Sequence, residues 1–459
     1  MSRLEKDPAF HALSRRPDLR AKRSGGVRRD DSKLIAFYLP QYHRIPENSE
    51  WWGPGFTEWT NVVRGRPNFD GHYQPHLPRE LGFYDLSHVE VMEEQAELAK
   101  LYGVYGFCFY HYWFSGRRVL ERPLENFLRS EIDLPFCLCW ANENWTRTWD
   151  GDARSVLLEQ KYAPGDDEAF VDSLLPFLTD PRYIHVDGKP LLVVYRAKEL
   201  PRPKTSFATW RKLARDHGFD GLHIAVVDFY DISHPDEVDA DALIEFPPHK
   251  FNGPQNIPSP VPAFTNPHFG GGVLDYSKMI AQSALRPVPS FRLYRGIVPG
   301  WDNTARRQNT PTIIVNSHPE LYGKWLEYLR AYTRTHATGI DDNFIFVNAW
   351  NEWAEGCHLE PDQKWGLEFL EQTLATSFHS TAFVPLDRAR DALLRDVAQI
   401  MVNQRSGDAP PGVSVDVLTH LLMHHQAPSE FVRRVAATLK RWPALHGLGK
   451  KVYSALKGM

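Results

Sequence analysis

No run of 18 or more apolar residues occurs in this 459-residue chain, so no membrane-spanning helix is expected. Charge of one sign is also missing: 53 Lys and Arg face 57 Asp and Glu, a formal net charge of −4. No overall field draws the chain to nucleic acid, and no nucleic-acid partner is expected. Cysteine is scarce, at four residues, and Cys137 and Cys139 stand too close together for a usual metal pair. The expected state is reduced, buried thiol. No HExxH-type pattern appears, and neither metal nor cofactor is expected. Residues 1–33 carry ten Lys and Arg against five Asp and Glu and lack the apolar stretch of a secretory signal. The expectation is a cytoplasmic protein whose residues 1–32 form a basic, flexible arm.

Aromatic residues, by contrast, are abundant at 13%, with 14 tryptophans. Short, nearly continuous apolar runs at 34–39, 104–110, 136–140, 191–195, 223–227, 242–246, 291–298 and 344–350 read as parallel strands buried on both faces. Helical patterns lie at 89–102, 167–178, 207–217 and 319–336, and another follows the last strand at 366–377. Eight strands alternating with helices predict a (β/α)8 barrel over 33–382. Its length requires long loop insertions, at 40–87 and at 247–289, where no regular element is evident. Residues 383–459 read as a helical, basic extension, with helices at 386–402 and 414–425. The last 30 residues hold seven Lys and Arg and one acid, with Val432, Val435, Leu439, Val452 and Leu456 on an apolar side. Such a segment suits peripheral contact with an anionic membrane through 430–459 at its inner face. Packing as a solvated helix, broken by Pro443, is the plainer alternative.

In such a barrel the active site lies on the loops after the strands. Ten of the 14 tryptophans fall at that end: Trp51, Trp52 and Trp59 after the first strand, Trp113 after the second, Trp140, Trp145 and Trp149 at the third, Trp301 after the seventh, and Trp350 and Trp353 at the eighth. Indole faces suit pyranose rings, although some of these rings must brace loops. Polar residues accompany them in Tyr110-His111-Tyr112-Trp113, in Asn142-Glu143-Asn144-Trp145, and in Pro299-Gly300-Trp301-Asp302-Asn303-Thr304 leading to Arg306 and Arg307.

Glycosidic chemistry needs an acid or base at the exocyclic oxygen and a second carboxylate. Glu352 and Glu355 are three residues apart and share one face if the chain turns helical after strand eight. Two close carboxylates raise one pKa, which gives an acid and a base at neutral pH. One glutamate capping a helix and the other pairing with an arginine is the alternative. A Glu143/Glu352 pair across the barrel is another.

Longer motifs point further. Ala36-Phe37-Tyr38-Leu39-Pro40-Gln41-Tyr42-His43, Glu47-Asn48, Trp51-Trp52-Gly53, Gly55-Phe56-Thr57-Glu58-Trp59-Thr60-Asn61-Val62, His72-Tyr73-Gln74-Pro75, Tyr112-Trp113-Phe114 and Trp140-Ala141-Asn142-Glu143-Asn144-Trp145 closely resemble the WbsX-like family of surface-polysaccharide biosynthesis proteins. The segments Asn351-Glu352-Trp353-Ala354-Glu355-Gly356 with Glu360, and Pro299 to Thr304, are similar, more remotely, to glycoside hydrolase family 99. That second resemblance implies an α-mannosidase-like (β/α)8 barrel with Glu352 as base and Glu355 as general acid/base. It also implies retention through a 1,2-anhydro sugar. Ala354, where that family tends to carry histidine, and Asn142-Glu143-Asn144 depart from its pattern.

The candidate substrate contacts are Tyr38, Trp52, Glu58 and Trp59 near the first strand and Tyr110, Tyr112 and Trp113 at the second. Trp140, Asn142 and Trp145 follow at the third, Tyr195 at the fourth, and Trp301 and Asn303 after the seventh. Trp350, Asn351, Trp353, His358 and Glu360 complete the set at the eighth. The expected partner is an oligosaccharide or polysaccharide. Three functions fit: a retaining glycosidase or transglycosylase on an α-linked glycan, a sugar-nucleotide glycosyltransferase, and a non-catalytic glycan-binding barrel. Asp150-Gly151-Asp152 and Asp239-Ala240-Asp241 fit the short Asp-x-Asp pattern of nucleotide-sugar transferases, without a Gly-rich phosphate loop beside them.

Overall fold

The structure is a computed structural model and describes residues 27–29, 32–147, 152–258, 262–339, 341–380 and 384–403. Eight parallel strands close on themselves: β1 (Lys33–Tyr38), β2 (Gly106–Phe114), β3 (Phe136–Trp140), β4 (Lys189–Val194), β5 (His223–Val227), β6 (Ala242–Ile244), β7 (Leu293–Ile297) and β8 (Phe344–Val347). Each pairs with its sequence neighbours, and β8 closes the ring on β1 with Phe346 opposite Ile35. This is the expected (β/α)8 barrel, with all eight strands where the apolar runs lie.

Burial explains the runs. Every residue of β3, β5 and β8 is buried, one face toward the barrel axis and the other toward helices. Inside the barrel, the Phe37 ring packs on Tyr110 (5.7 Å), Phe246 (4.9 Å) and Phe346 (5.6 Å), and this aromatic plug floors the space above.

The outer ring comprises α1 (Val89–Leu101), α2 (Glu121–Arg129), α3 (Asp166–Leu178), α4 (Pro203–Asp216), α5 (Tyr276–Leu285), α6 (Pro319–His336) and α7 (Glu368–Ala375). Between β5 and β6 the crossover is only a 3₁₀ turn, Pro235–Glu237. The stretch 247–289, expected to be irregular, contains α5 and a short strand, Gly272–Asp275, parallel to Thr312–Val315. The Asp275 carboxylate caps α5 by accepting from the amides of Ser277 and Lys278. That cap and the apolar spacing Tyr276, Met279, Ile280 were visible in the sequence but masked by Pro- and Gly-rich flanks.

A last helix, α8 (Leu386–Asn403), packs against α5 and α6 and buries Leu393 and Val397. It is the first helix expected of the extension. The second, and the basic segment 430–459, lie outside the described residues. Within the expected N-terminal arm, Val27–Arg29 pair antiparallel with Phe378–Ser380, so this part of the arm is tied to the chain after α7. Among the described residues, no helix is long and apolar enough to cross a membrane.

Candidate active site

After β8 the chain crosses a cis Asn348–Ala349 peptide and forms a tight hairpin, with Asn351–Glu352 paired to Cys357–His358. The tip is a 3₁₀ turn, Trp353–Glu355, with Glu352 at its N-cap. The expected helical turn is thus of the tighter kind. With three residues per turn, side chains at i and i+3 eclipse, and Glu352 and Glu355 are brought to one side. Gly356 ends the turn at φ +61°, and a Cβ there would stand 2.9–3.0 Å from the Asp302 backbone. The Asp302 amide donates to the Glu355 carbonyl at 2.6 Å, so the loop after β7 is docked on the turn. We expect Gly356→Ala to cost roughly 1–3 kcal/mol and to lower turnover, read by urea unfolding and by assay of one preparation. Wild-type stability in this variant would show that the close approach is dispensable.

That docking delivers Arg306. Its guanidinium donates to Glu58 Oε1 (2.8 Å), Glu355 Oε1 (2.7 Å) and Glu352 Oε2 (3.3 Å). Glu58 opens a short helix, Glu58–Val62, after β1 and is fully buried. Burial pushes the Glu352 carboxyl up to about 8, with Glu355 and Glu58 adding to the rise and Arg306 opposing it. Burial also raises Glu355, against the pull of Arg306. The two titrate as a pair. Their access differs: the Glu352 side chain is 7% exposed and that of Glu355 22%.

Both glutamates line a cleft of about 460 Å³ at the C-terminal end of the strands. Its walls include Trp51, Trp52, Tyr110, Tyr112, Trp145, Tyr195 and Phe246, with Glu143, Glu199, Arg306 and Arg307 among them. Trp145 meets Trp51 edge-on at 5.8 Å and Tyr112 at 5.2 Å. The Gln41 and Asn48 side chains also line the cleft, and their buried amide nitrogens have no hydrogen-bond partner among the described residues. Such donors are costly to leave unpaired, and hydroxyl groups of a ligand would satisfy them. Both lie in the motifs 36–43 and 47–48, which is the signal that could have marked them.

Of the expected contacts, Trp52, Tyr110, Tyr112, Trp145 and Tyr195 face the cleft together with Glu352, Glu355 and Glu143. Glu143 is held at 2.9 Å by Arg196, and its side chain is 45% exposed. The rest support the site from behind. Tyr38 is buried and donates to Gln95, which donates to Glu360. Glu360 is buried and accepts from Tyr84 (2.8 Å) and from the Trp353 indole (2.7 Å), and burial raises its carboxyl to about 7. His358 stacks on Trp353 at 3.8 Å. Trp59, Trp113 and Trp140 are buried, with the indoles of Trp59 and Trp140 donating to the carbonyls of Tyr84 and Trp113. Trp350 is fully buried beside Phe107.

Asparagine side chains continue the strand ladders at the rim. Asn351 exchanges two hydrogen bonds with the Leu39 backbone (2.7 and 3.0 Å), and Asn142 does the same with Arg196 (2.8 and 2.9 Å). Asn303 accepts from the Thr312 amide, and Glu58 holds Arg306. Trp301 lines a second cavity instead. Asp302 accepts from His72 and Gln74 at 2.6 Å each, which explains the His72-Tyr73-Gln74-Pro75 motif as an anchor for the loop after β7.

Fold and cleft together define a (β/α)8-barrel protein with a paired-carboxylate centre on its βα-loops. Residues 34–373 match the family described as Glycosyltransferase WbsX, and the chain belongs to that family. It is 43% identical over 379 residues to the uncharacterized protein WxcX of two strains of Xanthomonas campestris pv. campestris. The match covers 80% of this chain and 54% of the relative, so the chain spans about half the length of the curated relatives it matches. Among solved structures, a glycoside hydrolase-like protein is similar at 16% identity and a TM-score of 0.46, covering 76% of this chain and 94% of the other. The GH99 endo-alpha-mannosidase from Bacteroides thetaiotaomicron, in complex with bis-tris propane, is similar at 14% identity and a TM-score of 0.44, covering 80% and 100%. Likeness at this level says nothing about chemistry.

Proposed function

We propose that this protein is a carbohydrate-active enzyme of surface-polysaccharide metabolism. It acts on an α-linked glycan with retention, by hydrolysis or transglycosylation, through Glu352 and Glu355. The observation that carries the reading is the cleft itself. Two raised, neighbouring carboxyls line it, aromatic faces form its walls, and the amides of Gln41 and Asn48 await acceptors.

In this reading Glu352 takes the proton of the sugar 2-hydroxyl, and that oxygen bonds to C1. The bond from C1 to the leaving oxygen breaks as Glu355 protonates it. The acceptor hydroxyl then opens the 1,2-anhydro ring at C1, gives its proton to Glu355, and Glu352 returns a proton to O2. Hydrolysis and transfer differ only in that acceptor. Because Glu352 is the carboxyl pushed up to about 8, the reactive form is the one in which the pair's proton sits on Glu355; Glu352, once ionised, is then a stronger base than an ordinary carboxylate.

The second reading is transfer from a sugar nucleotide, favoured by the family's description and by the exposed Arg307 at the cleft. The Asp239-Ala240-Asp241 triplet does not support it. Arg211 holds both aspartates, at 3.1 and 2.8 Å, and neither lines the cleft. Asp150 and Gly151 lie outside the described residues. Incubation with α-linked oligosaccharides and with sugar nucleotides, products read by mass spectrometry, separates the readings. We expect shortened or rearranged oligosaccharides and no nucleotide release. Nucleotide release with glycan extension would replace the first reading by the second. No product with either substrate class would leave the barrel as a glycan binder.

A further inference from the structure

A second group of chemistry-bearing side chains lies behind the catalytic turn, away from the cleft. His76, in the loop after β1, faces His358, in the returning arm of the β8 hairpin, and Asp362, just after it. Their donor atoms all lie within 4.8 Å of one another. His76 Nδ1 and His358 Nε2 are 3.0 Å apart. We propose that these three side chains form a binding site for a divalent transition-metal ion, which clamps the loop after β1 to the segment after β8.

The donor atoms are oriented for this. His358 Nδ1 is 2.9 Å from the Glu360 carbonyl oxygen, which can only accept. Nδ1 therefore carries the proton, and Nε2 presents its lone pair toward His76. A ligating imidazole is held in this way, its other nitrogen donating to a backbone carbonyl. The ring is also fixed against the Trp353 indole. Asp362 Oδ1 accepts from the Trp365 amide at 2.6 Å, which sets the orientation of the carboxylate. Two bonds of ~2.0–2.1 Å at a tetrahedral angle place ligand atoms ~3.3 Å apart, close to the imidazole separation seen here.

Two imidazoles and one carboxylate are a borderline set, which selects Zn²⁺, Co²⁺, Ni²⁺ or Fe²⁺ over Mg²⁺ and Ca²⁺. His76 lines the second cavity, of about 420 Å³, where water could complete the shell. In that cavity the Trp301 indole N–H is buried without a hydrogen-bond partner among the described residues, a donor for such a water or for another ligand of the ion. Lys364, a cation that acts on His76, stands over the rings of Tyr73 (5.2 Å) and Trp365 (4.8 Å). The two histidines are 282 positions apart in sequence, so no local motif announces the site.

This inference stands apart from the glycan reading, and so does its test. The untagged full chain, stripped with EDTA, is titrated with Co²⁺ followed by visible absorption, and with Zn²⁺ followed by thermal melting. We expect one tight equivalent, ligand-field bands, and a rise in Tm with Zn²⁺. His76→Ala, at a half-buried position, and Asp362→Asn should each weaken binding at least tenfold, with circular dichroism showing both folded. Should Asp362→Asn fail to fold, His76→Ala decides. Absence of the cobalt bands and of the melting shift in the wild type would leave a bare His–His hydrogen bond and overturn the site. Equal binding by wild type and His76→Ala would place the ion at other histidines, such as His424 and His425, and overturn it as well.

Discussion

Glutamine at position 352 or 355 is expected to remove turnover by at least a thousandfold while leaving the barrel folded. Each variant keeps the shape of the protonated carboxyl and loses only the ability to exchange a proton. Glu352→Gln has a second, opposite signature. In the folded protein this carboxyl titrates near 8, against 4.5 for the ordinary group. Between about pH 5 and pH 8 the native state therefore holds a proton that the unfolded chain has released, and this group's contribution makes stability fall as pH rises through that window. Glu360, also raised, adds a slope of the same sign that the substitution leaves in place. Denaturant titrations at pH 5 and pH 8 should show a smaller loss in Glu352→Gln than in wild type. An inactive variant with an unchanged slope would mean that Glu352 is not the raised group. Retained turnover in both variants would move the chemistry to Glu143, which lines the same cleft.

Arg306→Leu carries the largest expected cost to stability. It leaves Glu58, Glu352 and Glu355 facing one another without the guanidinium that joins them, and Glu58 is fully buried. Removing one partner from such a cluster costs about 3–5 kcal/mol, or roughly 5 °C in Tm for a domain of this size. The double variant Arg306→Leu with Glu58→Gln should recover part of that loss, because one uncompensated charge disappears. Arg306→Lys should fold better than Arg306→Leu yet stay impaired, since one ammonium cannot reproduce the planar fork that meets three carboxylates. A melting temperature within a degree of wild type in Arg306→Leu would show that the carboxyls are already neutral without it.

The barrel was legible because parallel strands buried on both faces must be apolar throughout, and eight such runs stand clear of their surroundings. The placement of Glu352 and Glu355 at a strand end was legible for the same reason. What lay hidden was direction. Ten tryptophans cluster at one end of the sequence pattern, but of these Trp51, Trp52 and Trp145 face the cleft, while Trp59, Trp113, Trp140, Trp350 and Trp353 pack behind it. In β2 the strand period could have told them apart: Tyr110 and Tyr112 point inward, and His111 and Trp113 pack outward on Phe177 and Phe170. The asparagines misled for another reason. A side-chain amide has the same donor and acceptor as a peptide, so Asn142 and Asn351 could be read as ligand contacts when they extend the backbone ladder. Arg306 was visible beside the 299–304 motif, but its central place depends on contacts 46, 49 and 248 positions away, beyond any local pattern.

Those separations matter for how the protein is made. Arg306 joins an early segment, at Glu58, to a late one, at Glu352 and Glu355, across the edge where the last barrel strand meets the first. On a ribosome, a growing chain would carry Glu58 long before its counter-ion emerged, and Arg306 before either glutamate of the turn. The centre could assemble only after the final strand had been synthesised and docked, so an unfinished chain would hold no working pair.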